Sequence, residues 1–334
     1  MKYTDRIYGE SEISEPVISA LINSPALQRL KGVAQAGYQS FWLKPDVGVV
    51  RHDQTRFEHS VGVYLLLKQY GASLREQIAG LIHDVSHSAF SHCIDCVLEG
   101  GSEKEQDYQD KIFEGFVRKT AIPEILLKYD FDPEYILDDK NFPLKEKPLP
   151  DLCADRIDYS LRGAVFFNEL EPREGKNYLL DNLTAENGDW VFKNLESARA
   201  YAELFLKLDT VHWSSFSSAA MGRKIGDYLK HALEKNYISE GDLYTTDQEV
   251  LDKVKRFLDK DQRLKLLWER VTNKTKAENN PGDYDVVVFH KSRLVDPLFK
   301  EDGILKRLSE ADPRWSEIIK EGLKPKQYFL KFEK

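Results

Sequence analysis

RFEHSVGVYLLLKQYGASLREQIAGLIHDVSHSAFSHCID, residues 56–95, is the stretch around which the 334-residue chain is organised. Five of the chain's eight histidines lie between His52 and His92, and Asp84 directly follows His83. Neutral imidazoles with carboxylates make a site for a divalent transition metal or a magnesium-like ion. His59 opens a run with Val61, Val63, Leu65, Leu66 and Leu67, closed by Gly71, which predicts a buried helix. Ile78, Ala79, Leu81 and Ile82 lead into His83-Asp84 on a second predicted helix. Adjacent helix positions point about 100° apart and do not face one another, but both can grip one ion lying between their directions. A further oxygen ligand must come from elsewhere, and DLCADRIDYSLRG (151–163) offers Asp155. In that segment Asp155, Asp158 and Arg162 fall on one helical stripe.

The ordered set His59, His83-Asp84, Asp155, within RFEHS…QIAGLIHDVSHSAFSH…ADRIDY, resembles the HD-domain metal-dependent phosphohydrolases. The similarity is nearest to their deoxynucleotide triphosphohydrolase branch and runs from about residue 5 to residue 235. It implies a mainly α-helical HD fold. It also implies a divalent cofactor (manganese, iron, magnesium, zinc or nickel) on His59, His83, Asp84 and Asp155. A metal so held polarises a phosphoryl group and lowers the pKa of bound water. Gln35 matches a glutamine that contacts the substrate sugar in the family, and it reads equally as an exposed helix glutamine. Arg56 matches a phosphate-binding arginine; an ion pair is its structural alternative. Arg156 and Tyr159 match phosphate and sugar contacts, and Asp158 is expected to pair with an arginine. The resemblance also places a histidine–aspartate pair beside the metal. His92 with Asp95 is the candidate acid and its orienter, with His87 on phosphate or water. His52 is expected to be a supporting or surface residue.

The chain departs from the family in three places. Relatives carry Gly-His-Gly-Pro after the HD pair, where this chain has Ser86-His87-Ser88-Ala89. They also carry a His-Glu pair at the start of the next helix, where the nearest match here is Gln106-Asp107. An arginine and a tyrosine that grip a triphosphate align with Trp213 and Met221, leaving His212 and Arg223 as nearby replacements.

Composition bounds the rest. The net charge of −8 argues against broad nucleic-acid or acidic-membrane binding. Three cysteines give no disulfide framework, and Cys93-x-x-Cys96 is expected to pack inward. No apolar signal core or bilayer-length run is present, which fits a cytoplasmic setting. Residues 1–15 read as a polar lead-in with a turn at Gly9, and 41–50 as a loop. Asn187-Gly188 marks a β-hairpin within 178–194. Helices are expected over 108–118, 123–129, 195–208, 216–233 and along 246–274. DVVVFHKSRLVDPLF and KQYFLKF alternate as strands around a helix, GILKRLSEAD, in a small C-terminal α+β lobe. The expected division is an HD domain over 1–240 and a C-terminal unit over 241–334.

The functional expectation is a metal-dependent phosphohydrolase acting on a small-molecule phosphate, a nucleotide foremost, in a chain that resembles oligomer-forming relatives. The alternative is a nucleotide-binding sensor or assembly module with reduced catalysis, suggested by the absent His-Glu pair.

Overall fold

The computed structural model describes residues 1–38, 54–171, 173 and 175–333. The expected 41–50 loop and His52 lie outside the described residues. The fold is mainly α-helical, with three small sheets and an α+β lobe near the C-terminus. Among the described residues no helix is long and apolar enough to cross a membrane.

The central element is the helix Arg56–Gln69. Thr55 and Glu58 close a capping box at its start, so the helix begins before His59. Its buried positions run from Phe57 to Leu67 on all sides, because other elements surround it. It packs on the helices Leu74–Ile82 and Ala154–Phe166. At Gly62 the Ala154–Phe166 helix comes so close that a side chain would strike Asp158 and Arg162. The Leu74–Ile82 helix stops one residue before His83, so the HD pair sits at its C-cap and beyond. His87 follows in a turn, and His92 lies on a short 3-10 segment, Ser91–Ile94. His83 and His87 are therefore related by turn geometry and not by a shared helix face.

Several other expectations take a different form. Residues 1–15 hold a hairpin, β1 (Lys2–Asp5) and β2 (Gly9–Glu12), with Ile7, Tyr8 and Ile13 in the main core. The 246–274 stretch forms two helices, Asp247–Lys255 and Gln262–Val271. The hairpin β3 (Leu183–Glu186) and β4 (Asp189–Phe192) turns through Asn187 and Gly188, both with positive φ. After β5 (Ala277–Asn279) and β6 (Val286–His290) come β7 (Leu298–Glu301) and β8 (Ile304–Arg307). β8 is where GILKRLSEAD was expected to be helical. The turn at Asp302-Gly303 folds it back antiparallel on β7, and only Leu308–Ala311 is helix.

β9 (Lys326–Phe332) joins β5 and β6 in one sheet, while β4 pairs in parallel with β7. The β3–β4 hairpin thus shares a four-stranded sheet with strands from beyond residue 240. Tyr328 also donates to the Ser214 carbonyl (2.6 Å), and the Arg293 amide donates to Asp209 Oδ1 (3.0 Å). Pairing across the expected division ties the C-terminal segment to the helical body.

A buried charge network anchors the site helix. Arg162 Nε donates to Asp158 Oδ2 and its Nη2 to Asp5 Oδ2, both at 2.7 Å, and all three side chains are at most 1% exposed. Asp5 also accepts the Ile7 and Tyr8 amides. Breaking one side of such a network leaves uncompensated buried charge, costing roughly 3–5 kcal/mol. Arg162→Met is therefore expected to lower the unfolding free energy by about that amount in urea denaturation, whereas Arg314→Met, an exposed pair, should change it by under about 1 kcal/mol.

Candidate metal centre

His59 is wholly buried, and its two ring nitrogens face different partners. Nδ1 lies 2.8 Å from Asp158 Oδ2, and Nε2 lies 2.8 Å from Asp155 Oδ1. His83 Nδ1 sits 2.7 Å from the Gly80 carbonyl, a pure acceptor, so Nδ1 carries the proton. Its Nε2 then projects a lone pair, 3.2 Å from His59 Nε2, 3.4 Å from Asp155 Oδ1 and 3.5 Å from Asp84 Oδ1. Asp84 Oδ2 lies 3.7 Å from His59 Nε2.

His59 Nε2, His83 Nε2 and Asp155 Oδ1 thus converge with separations of 2.8–3.4 Å, and the Asp84 carboxylate lies beside them, 3.5 and 3.7 Å from the two imidazoles. Ligands about 2.1 Å from one ion stand roughly 3.0–3.4 Å apart. The donor set fits a divalent cation, and the outer contacts from Asp158 and Gly80 orient the ligands as metal sites require.

Arg56, placed in the first turn of the central helix, donates to Asp84 Oδ2 (2.8 Å) and to Ser91 Oγ (3.2 Å). The ion-pair alternative for Arg56 is therefore present, with Asp84 as its partner. Burial opposes the Asp84 charge, but Arg56 and the neighbouring histidines hold its carboxyl well below the usual range. His87 Nε2 stands 3.2 Å from Asp84 Oδ1. Burial and then Arg56 push His87 down to about 3, so it is neutral. His92 Nδ1 lies 3.2 Å from Asp95 Oδ2, and its ring meets His87 edge-on at 5.2 Å. Burial, then Arg56 and Arg293, push His92 well below its ordinary value. Burial pushes Asp95 up to about 7.

Arg56, His83, Asp84, His87, His92 and Asp155 line a cavity of about 820 Å³ with Gln35, Arg156 and Tyr159. Arg156 donates to the carbonyls of Asp151 (2.5 Å) and Lys147 (3.1 Å). Tyr159 is wedged between His59, Trp213 and Phe205. His212 instead pairs with Glu169 and stacks on Phe167, and Arg223 pairs with Asp227. Neither lines the cavity. Cys93 and Cys96 pack beside the 216–234 helix, consistent with an inward-facing pair.

The cavity has a wall that sequence reasoning missed. His290, Lys291 and Arg293 enter it from the strand β6 and the segment after it, beside Gln106, and Lys145 and Lys147 also line it. The basic cluster in FHKSR was a signal, but the alternation around it read as a peripheral strand.

A cation and a proton compete for the His59 lone pair. Burial opposes charge on His59, yet the hydrogen bonds to Asp155 and Asp158 raise it to about 9. Below that value the ring holds a proton that a metal must displace. Manganese binding at pH 7, followed calorimetrically in buffers of different ionisation enthalpy, should release at least about one proton per ion. Affinity should rise with pH and level off above about 9. Proton-independent binding at pH 7 would contradict the assignment.

Comparison with known proteins places the chain. A family model described as HD domain matches residues 56–162. The chain is 36% identical over 314 residues to the uncharacterized protein YdhJ of Bacillus subtilis, covering 92% of this chain and 91% of that one. It is 31% identical to the metal-dependent phosphohydrolase cns2 of Cordyceps militaris, covering 88% and 83%. A shorter match, 28% identical, links 38% of this chain with 23% of the deoxynucleoside triphosphate triphosphohydrolase SAMHD1 of Gallus gallus. The fold matches a solved phosphohydrolase of Bacteroides thetaiotaomicron with TM-score 0.69 at 18% identity, over the full length of both chains. With the ligand geometry and these matches in hand, the chain belongs to the HD-domain metal-dependent phosphohydrolases.

Proposed function

We propose that this chain hydrolyses a phosphoester or phosphoanhydride bond of a nucleotide, with a divalent ion held by His59, His83, Asp84 and Asp155. The observation that carries the reading is the convergence of those four side chains at a cavity large enough for a nucleotide. The bound ion would supply Lewis acidity and an activated water. The protein side chains do the rest by placement and charge.

Arg56 fixes the Asp84 carboxylate while facing the same cavity, so it serves ligand orientation and phosphate neutralisation together. Arg156 adds positive charge on the opposite wall. Tyr159 and Trp213 offer aromatic surface for a base or sugar. Gln35 contributes a buried Oε1 that finds no partner among the described residues, suited to a sugar hydroxyl. Burial first, and then Arg56 and Arg293, hold His92 well below its ordinary value. A phosphate dianion entering beside Arg56 offsets that positive field and returns His92 toward its ordinary range, where it can donate to a leaving oxygen. Asp95 orients the ring, and His87 holds Asp84 and faces the phosphate side. The match to a deoxynucleoside triphosphate triphosphohydrolase supports a nucleotide substrate.

The sensor alternative draws on one observation. Gln106, at the place of the relatives' His-Glu pair, hydrogen-bonds Arg293 and approaches His290, and has no titratable proton to relay.

A panel of deoxynucleoside mono-, di- and triphosphates and cyclic nucleotides, assayed with manganese, magnesium or ferrous iron, tests the reading. Wild type should turn over at least one of them. His59→Ala and Asp84→Asn should lower kcat about 10³-fold, equivalent to roughly 4 kcal/mol of transition-state stabilisation. Tight binding without turnover would favour the sensor; turnover untouched by Asp84→Asn would end the metal-based account.

A further inference from the structure

The segment that follows β6 carries two cations into the cavity, and their pairing differs from that of its other buried or half-buried basic groups. Arg56 is bonded to Asp84, Lys145 to Asp139 and Lys147 to Asp189. Among the described residues, neither the Lys291 ammonium nor the Arg293 guanidinium has a carboxylate within ion-pair distance. Both side chains are partly buried and line the same cavity as His83, Asp84 and Asp155.

The Arg293 guanidinium is held by a neutral amide, and its backbone by a buried carboxylate. Arg293 Nη2 donates to Gln106 Oε1 (2.7 Å), and the Arg293 amide donates to the buried Asp209 (3.0 Å). A guanidinium only donates, so the Gln106 oxygen must face it. The Gln106 nitrogen then faces His290 Nε2 at 3.4 Å, which must accept. His290 Nδ1 accordingly carries the proton and donates to the Lys291 carbonyl (3.1 Å). Gln106 thus sets the direction of Arg293 and the tautomer of His290 without neutralising any charge. A carboxylate at that place would cancel Arg293; the amide leaves its charge available to a ligand. Burial, then Arg293, lower Lys291 below its ordinary value, as expected for two adjacent cations awaiting an anion. Both charges also act on His92, which places them on the proton-transfer side of the cavity.

We propose that Lys291 and Arg293 form a clamp for a second, non-scissile phosphate of the substrate, with Gln106 as its positioning residue. The inference rests on the nucleotide reading above and deepens it. The favoured substrates carry at least two phosphoryl groups, one at the metal ligands and one against the C-terminal lobe. An arginine fork and a lysine point charge together suit a terminal phosphate.

The test uses equilibrium binding to the full-length, manganese-loaded protein. Imidodiphosphate, whose nitrogen bridge resists hydrolysis, is compared with inorganic phosphate on wild type, Lys291→Gln, Arg293→Gln and Arg293→Lys. Imidodiphosphate affinity should fall about 10- to 100-fold in each glutamine variant and recover in large part in Arg293→Lys. Phosphate affinity should change less than about threefold, with metal content and melting temperature unaltered. Equal losses for both anions, or no loss for imidodiphosphate, would overturn the clamp. If wild type hydrolyses no nucleotide yet shows the selective loss, the clamp stands and the nucleotide reading falls. If nucleotides are hydrolysed and the variants bind imidodiphosphate as wild type does, the reverse holds.

Discussion

His59 and His83 bring their Nε2 atoms to 3.2 Å, and the rest of the molecule is arranged to hold them there. Two such atoms repel unless a proton or a metal stands between or beside them. Asp158 and the Gly80 carbonyl occupy the outer nitrogens, so both rings are aimed inward. Asp84 and Asp155 supply the negative charge that makes a divalent cation a better occupant than a single proton. Each of these contacts depends on a further layer. Asp158 is held by Arg162, Arg162 by Asp5, and Asp5 by the turn of the N-terminal hairpin. The absence of a side chain at Gly62 lets that layer lie against the central helix.

The cavity above the ligands is shared between the helical body and the C-terminal lobe. Glu76, near the start of the helix leading to the HD pair, accepts the Leu144 and Lys145 amides and so sets one rim. The opposite rim comes from His290 to Arg293, held through Asp209 and Gln106. The fold therefore brings a metal-ligating floor and a basic wall together from segments some 200 residues apart in sequence.

The helical class, the hairpin at Asn187-Gly188 and the meeting of His59, His83 and Asp155 were legible because each rests on local pattern or on a motif with fixed order. Asp158 and Arg162 were legible too, as a helical stripe. What escaped depends on long-range packing. GILKRLSEAD has helical composition, but the Asp302-Gly303 turn and the β7 edge draw its first half into a strand. The lead-in 1–15 looked polar because only alternate positions are buried, yet Asp5 anchors the Arg162 network from there. Gln106 looked like a lost catalytic position; its function emerges only beside Arg293, which no spacing rule connects to it. His92 was assigned as an acid from its neighbour Asp95, whereas burial and then cations from two separate segments, at Arg56 and at Lys291–Arg293, push it down.

The most direct test of the central claim is the position of a bound ion. Crystals grown with manganese should give one strong anomalous peak about 2.0–2.3 Å from His59 Nε2, His83 Nε2 and a carboxylate oxygen each of Asp84 and Asp155. A peak elsewhere, or an Asp155 carboxylate turned away from the two histidines with no ion between them, would contradict the account.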